Sequence, residues 1–148
     1  MVSQKMEKQS KKIAVLILNW NGVKLLEKYL PSVVKYNSSE AEIIIIDNAS
    51  DDDSILFLKN TYPDIKRIEF KYNYGFAKGY NKAINLVTHE YVVLLNSDVR
   101  VTENWIQAPI EFLNSNFDYA ACQPKILDDK IPLKFEYAGA SGGYIDTL

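Results

Sequence analysis

Short unbroken apolar runs alternate along this chain with longer stretches in which apolar residues return every three or four positions. "KIAVLIL" (12–18) is a continuous run of the kind that a parallel strand covered on both faces requires. "GVKLLEKYLPSVVKYN" (22–37) follows, with Leu25, Leu26, Tyr29, Leu30, Val33 and Val34 at helical spacing. Pro31 lies inside that pattern and predicts a kink or a split, because it removes a helical hydrogen bond. "EIIIID" (42–47) is the clearest strand. "SDDDSILFLKNTY" (50–62) predicts a helix with Ser50 or Asp51 as N-cap and with Asp51, Asp52 and Asp53 complementing its dipole. "IKRIEF" (65–70) predicts a third strand, "FAKGYNKAINLV" (76–87) a third helix, and "YVVLLN" (91–96) a buried fourth strand. "TENWIQAPIEFLNSN" (102–116) predicts a helix capped by Thr102. "YAACQPKIL" (119–127) predicts a fifth strand, ended or bent by Pro124, and the glycine-rich end reads as irregular.

Strand-helix alternation with short connections implies an α/β layered fold around a mainly parallel sheet. Right-handed crossovers then bring the C-terminal ends of the strands to one edge, where open α/β sheets bind ligands. The residues just past the strands are therefore the candidates for chemistry. They are Asn19-Trp20-Asn21, Asp47-Asn48, Tyr72-Asn73-Tyr74-Gly75 and Asn96-Ser97-Asp98, all rich in amides or acids.

Composition narrows the class. A chain of 148 residues fits one domain and buries about 68–70% of its unfolded surface, enough for its own core. Residues 1–11 read as a mobile polar tail and 12–148 as the folded domain. A net charge of -2 argues against a nucleic-acid partner. The single cysteine, Cys122, excludes an intrachain disulfide and a cysteine zinc site, and it points to a reducing, cytoplasmic setting. No apolar stretch is long enough to span a bilayer. The basic tail allows at most peripheral contact with the inner membrane face. His89, the one histidine, sits in the turn before the fourth strand and reads as a surface residue away from the site edge, which disfavours histidine-based hydrolysis.

No G-x-G-x-x-G follows the first strand and no G-x-x-x-x-G-K-[ST] is present, so a glycine-rich phosphate cradle is excluded. A divalent cation is the other route to a phosphate: Mg²⁺ or Mn²⁺ takes oxygen ligands, often one or two carboxylates plus phosphate oxygens. Asp98 at a strand tip can supply that carboxylate, with Asn96 and Ser97 adding neutral oxygens; the same tripeptide also reads as a plain turn. Asp47 reads either as a turn or capping residue or as an acceptor for the N3–H of a pyrimidine. Gly75 suits a positive φ or a close approach. Gly79 inside a helix costs about 1 kcal/mol against alanine, a sign of close packing or ligand access. Lys78 reads as solvated or as a phosphate screen, and Trp20 and Trp105 as packing residues, with Trp20 also placed to wall a flat ring.

Four segments in order, "IAVLILNWNG", "IIIIDNASDDDS", "NYGFAKGYNKAI" and "YVVLLNSDVRV", together resemble the family 2 glycosyltransferases, and among them the rhamnosyltransferase-like branch. The likeness covers about residues 12–146, and its specificity lies in the ordered set. It implies a GT-A (nucleotide-diphospho-sugar transferase) fold, Rossmann-like and three-layered, with the C-terminal half missing. It also implies a nucleoside-diphosphate sugar donor with uracil or thymine as base, inverting transfer to a glycan or lipid-linked acceptor hydroxyl in polysaccharide or glycan biosynthesis, and Mg²⁺ or Mn²⁺. By position, Leu18, Asn19 and Trp20 would flank the nucleobase and Asp47 would accept from its N3. Asn73, Gly75 and Asn81 would shape the base and ribose side; Asn96 and Asp98 would stand for the D-x-D acids, with Asp98 on the metal. Asn96 in place of the first acid weakens the expected ribose and metal contacts. Asp128, Asp129, Glu136 and Asp146 sit in no matching motif, so the general base is expected beyond Leu148. The alternative is a non-catalytic nucleotide-binding or interaction module of this fold. An uncovered apolar face would allow a homodimer.

Overall fold

The computed structural model describes residues 11–136. Four parallel strands form the sheet: β1 (Ile13–Asn19), β2 (Ala41–Asp47), β3 (Lys66–Glu69) and β4 (Tyr91–Asn96), in the order β3-β2-β1-β4. Helices α1 (Val23–Lys35), α2 (Ser54–Thr61) and α3 (Phe76–Ile84) connect them, and α4 (Gln107–Ser115) follows. The chain divides into two compact units between Val101 and Thr102, and the sheet with α1 to α3 belongs to the first. This is the expected α/β fold with a parallel central sheet and flanking helices.

Burial explains why β1 and β2 are unbroken apolar runs. Both are interior strands, and Ala14, Val15, Leu16, Ile44, Ile45 and Ile46 are fully buried. Each large side chain among them contributes about 1.5–3 kcal/mol relative to exposure. One face of the sheet, carrying Ala14, Leu16, Ile44 and Ile46, packs with Tyr80 and Ala83 of α3. The alternate residues Ile13, Val15, Ile17, Ile43 and Ile45 are buried as well, and α1 and α2 contribute the buried Leu26, Leu30, Val33 and Leu58. The chain steps outward from β1 to β2 to β3, then returns through α3 to set β4 on the other side of β1. That reversal puts the topological switch point between β1 and β4.

Several expectations change in detail. α1 runs unbroken through Pro31. Pro31 and Glu27 are exposed, so the carbonyl that loses its donor lies on the solvent side. Among the described residues β4 is an edge strand rather than a buried one: Val92 and Leu94 are 36% and 52% exposed, because α3 covers the β1 and β2 part of that face. The fourth helix starts at Gln107, not Thr102, since Asn104 takes a left-handed φ of 58° and interrupts the helical run. Residues 119–127 form no strand; only an antiparallel bridge between Leu127 and Phe135 remains. Pro124 lacks the donor that a ladder needs, and no described strand pairs with this segment. His89 is less of a surface residue than expected: its side chain is largely covered, with Nε2 3.3 Å from Glu42 Oε2 at the start of β2. Residues 1–10 of the expected tail lie outside the described residues, and Lys11 is tied down by donating to the Ala41 carbonyl (2.9 Å).

The helix after β2 begins at Ser54, later than Ser50 or Asp51 would place it. Of the three consecutive acids, Asp52 has the defined role. Its Oδ1 accepts from the Ser54 amide and its Oδ2 from the Val23 amide, both at 3.0 Å. One carboxylate thus serves the first residues of α1 and α2, where the helix dipoles favour negative charge. Partial burial alone would raise the pKa of Asp52; donors from Ser54 and the Val23 amide outweigh it and hold the group below the ordinary 3.8. A depressed pKa means that the stabilisation is present above the ordinary aspartate range and lost as pH falls through the folded-state value. Asp52→Ala is expected to lower the unfolding free energy near neutral pH by about 1–2 kcal/mol. In urea titrations across acid pH, the gap between the two proteins should close as the wild-type carboxyl is protonated.

Candidate functional site

The β1–β2 register places Asn19 directly beside Asp47 at the C-terminal edge. Both are buried, Asn19 fully and Asp47 to 3% exposure; they pair through the Asn19 amide nitrogen, while Asn19 Oδ1 has no protein partner. Asn19 Nδ2 donates to Asp47 Oδ1 and to Ser50 Oγ, both at 3.2 Å. The Ser50 amide donates to Asp47 Oδ2 (3.0 Å), and Ser50 Oγ also accepts from the Asn21 amide (3.0 Å). Between Asp47 and Ser50, Ala49 sits in the left-handed region with φ 62°, which costs a residue with a Cβ about 1–2 kcal/mol. The Ser50–Asp47 bond closes the turn around it. Asp47 therefore has the turn role, and each of its oxygens has one protein donor.

Asn48, also buried, reaches the other way. Its Nδ2 donates to Asn73 Oδ1 (2.8 Å) and to the Gly75 carbonyl (3.2 Å), while its Oδ1 accepts from the Tyr74 amide (2.9 Å). Asn73 Oδ1 also accepts from the Gly75 amide (2.7 Å). This fixes the entry to α3, whose N-cap Gly75 has φ 70°, a conformation that favours glycine. One turn on, Gly79 lies against β1: a Cβ there would stand 3.1 Å from the Leu18 side chain. The close packing expected of Gly79 is present.

The remaining expected site residues fall on the same edge with different exposure. Leu18 is half-buried, and Trp20 is 58% exposed, so Trp20 is not a packing residue but a free indole beside the Asn19–Asp47 pair. Asn81 is exposed on α3. Asn96 ends β4 opposite Leu18, and Asp98 follows in the turn closed by Val99 N to Asn96 O (3.4 Å), both side chains exposed. Tyr80, which no motif singled out, joins the two halves of the edge. Its hydroxyl accepts from the Leu18 amide (3.4 Å) and donates to the Leu95 carbonyl (2.9 Å). Burial raises the Tyr80 pKa, the nearby Asp98 charge raises it further, and the Leu18 bond opposes both. Ser50 is the other unforeseen member: its sequence position read equally well as a helix cap.

The sequence profile of glycosyl transferase family 2 matches residues 14–136. The chain belongs to glycosyl transferase family 2. An uncharacterized glycosyltransferase of Nostoc sp. is 33% identical over 90 residues, covering 59% of this chain and 28% of its own length. The GalNAc(5)-diNAcBac-PP-undecaprenol beta-1,3-glucosyltransferase of Campylobacter jejuni is 24% identical over 110 residues, covering 72% of this chain and 36% of its own. S. aureus TarS, solved in complex with UDP-GlcNAc, shares the fold with a TM-score of 0.63 at 21% identity, over 72% of this chain and 32% of that one. The mannosyltransferase PcManGT of Pyrobaculum calidifontis, solved with GDP-Man and Mn²⁺, superposes with a TM-score of 0.61 at 21% identity, over 72% of this chain and 33% of that one. This family 2 chain spans about a third of the length of the curated relatives it matches.

The implied divalent cation can be tested against the donors present. Among the described residues no group of three or more His, Cys, Asp or Glu side chains could hold a metal ion. Asp98 is a single exposed carboxylate at the tip of β4. That fits a Mg²⁺ or Mn²⁺ held by one carboxylate and completed by phosphate oxygens and water, and it does not fit an all-protein cage.

Asn19 leaves no room for a side chain at Gly22. A Cβ on Gly22 would stand 2.5 Å from Asn19 Oδ1, and Asn19 is held by Asp47 and Ser50. Gly22→Ala is expected to destabilise the fold by about 1–3 kcal/mol through overpacking. Unchanged stability in a urea titration would mean that the Asn19 side chain swings clear of the network.

Proposed function

We propose that this family 2 domain binds a pyrimidine nucleoside-diphosphate sugar along the C-terminal edge of its sheet. In a full-length enzyme it would present that donor for inverting transfer to a glycan or lipid-linked acceptor. The observation that carries the reading is the gathering of Asn19, Asp47, Asn48 and the Asn73–Gly75 loop on one side of the switch point, with Asn96 and Asp98 on the other. Ligands of open α/β sheets occupy such a crevice. Support comes from relatives of the same fold solved with nucleoside-diphosphate sugars, UDP-GlcNAc in TarS and GDP-Man with Mn²⁺ in PcManGT. Two relatives point to the acceptor: the C. jejuni enzyme is named for an undecaprenol-linked substrate, and a Staphylococcus epidermidis relative is a poly-beta-1,6-N-acetyl-D-glucosamine synthase.

In this reading each residue has a task. The free indole of Trp20 and the side chain of Leu18 flank the base. Asp47, with one protein donor on each oxygen, retains a lone pair for the pyrimidine N3–H. Asn73, Gly75 and Asn81 border the ribose. Asp98 holds the cation, with Asn96 beside it; bound Mg²⁺ or Mn²⁺ would neutralise charge on the departing diphosphate. Transfer also requires a carboxylate to deprotonate the acceptor, a contribution of about 10²–10⁴-fold. Asp128 has a turn role, its Oδ1 accepting from the Lys130 and Ile131 amides (2.7 and 2.9 Å), and Asp146 lies outside the described residues. In this reading the domain by itself is a donor-binding unit.

Calorimetry with UDP, TDP and GDP, each with and without Mn²⁺, tests this directly. UDP or TDP should bind more tightly than GDP, and Mn²⁺ should strengthen binding. Asp47→Ala should weaken the pyrimidine nucleotides by about 1.5–3 kcal/mol, the worth of a hydrogen bond to a charged group. Asp98→Ala should abolish the gain from Mn²⁺. Equal binding of GDP overturns the pyrimidine assignment; an unchanged Mn²⁺ gain in Asp98→Ala overturns the metal assignment.

A further inference from the structure

Tyr80 is buried to 3% exposure in the middle of α3, yet its hydroxyl contacts backbone at the ends of two strands. The Leu18 amide belongs to β1, and the Leu95 carbonyl belongs to β4, one residue before Asn96 and three before Asp98. These are the two strands that flank the switch point. α3 itself is seated from two directions. Its entry hangs on Asn48 through Asn73 and Gly75, and its middle rests on Leu18 through Gly79. A single rigid helix therefore joins the nucleobase side of the edge to the tip that carries Asp98. β4 is otherwise the less supported strand, with Val92 and Leu94 open.

We propose that Tyr80 is a positioning residue that holds the β4 tip against β1 and thereby sets Asp98 where a cation and a diphosphate meet it. The inference rests on the reading of Asp98 as the metal-side acid and adds the residue that places it. The nearness of Tyr80 to the Asp98 charge agrees with this geometry. Tyr80 touches neither donor nor cation; it acts through the Leu95 carbonyl and the three residues that follow. Of its two bonds the one to Leu95 (2.9 Å) is short and leads to Asp98, whereas the one from Leu18 (3.4 Å) is long and falls on an amide within β1, so loss of the hydroxyl should weaken chiefly the metal-dependent part of binding.

Tyr80→Phe keeps the ring among Ala14, Leu16, Ile44, Ile46 and Ala83 and removes only the hydroxyl. The test compares wild type, Tyr80→Phe and Asp98→Ala, using UMP without metal and UDP with and without Mn²⁺. The expected result is unchanged UMP affinity in Tyr80→Phe, with the Mn²⁺-dependent gain for UDP reduced about tenfold, as for residues that orient a metal ligand from behind. Asp98→Ala should lose the gain completely. A full gain in Tyr80→Phe, with the gain lost in Asp98→Ala, overturns the role of Tyr80 and leaves the metal reading intact. A full gain in Asp98→Ala, or none in wild type, overturns both. A second measurement uses the unmutated chain carrying ¹³C-labelled Tyr80. Adding Mg²⁺ to the UDP-saturated protein should shift the Tyr80 Cζ resonance, and the shift should vanish in Asp98→Ala. An unmoved resonance in wild type overturns the proposal independently of how the variant folds.

Discussion

The parallel register between β1 and β2 governs the edge of this domain. Because Ile13 pairs with Ala41 and the strands match residue for residue, they end together, and Asn19 and Asp47 are carried into burial side by side. Polar groups taken out of water must find partners, at about 1–3 kcal/mol for each that fails. The amide nitrogen of Asn19 and the carboxylate of Asp47 meet that need in each other and in Ser50, while Asn19 Oδ1 has no protein partner. Everything local follows from it: the left-handed Ala49, the absence of a side chain at Gly22, and the delayed start of α2. A shift of one residue in the register would separate the pair and leave each side chain without the other.

A second constraint is the path of α3. Returning across the sheet, it must pass close over β1, and Gly79 allows the approach. The same passage delivers Tyr80 to the seam between β1 and β4. Asn48 fixes where the helix begins. On the Asn48–Leu18 side, packing and site geometry are thus one set of contacts.

Much of this was legible in the residues. Unbroken runs such as Ile43–Ile46 read as strands covered on both faces, and the polar residues after each run marked the edge. Gly75 and Gly79 were legible because a left-handed turn and a close helix–strand contact are the two situations in which a missing side chain is an advantage. Other features were hidden for physical reasons. The five apolar or aromatic residues of β4 look like those of β1, and only the strand order makes β4 an edge. Tyr80 falls within an ordinary amphipathic repeat, and the destination of its hydroxyl depends on how α3 lies across two strands. Ser50 resembles a cap because the same hydroxyl chemistry serves both tasks. The segment 119–127 has strand-like composition, but a strand exists only with a partner, and none pairs with it among the described residues.

Trp20 carries a consequence of a different kind. The chain has two tryptophans, and Trp20 stands largely in solvent next to the buried Asn19–Asp47 pair. Trp105 is half-buried and belongs to the second compact unit. An indole open to water emits at longer wavelength than a covered one and is readily quenched by a stacked ring. The domain therefore carries an optical reporter at the tip of β1, and a ring stacked there, as the proposed donor site requires, would show in ordinary fluorescence without any label.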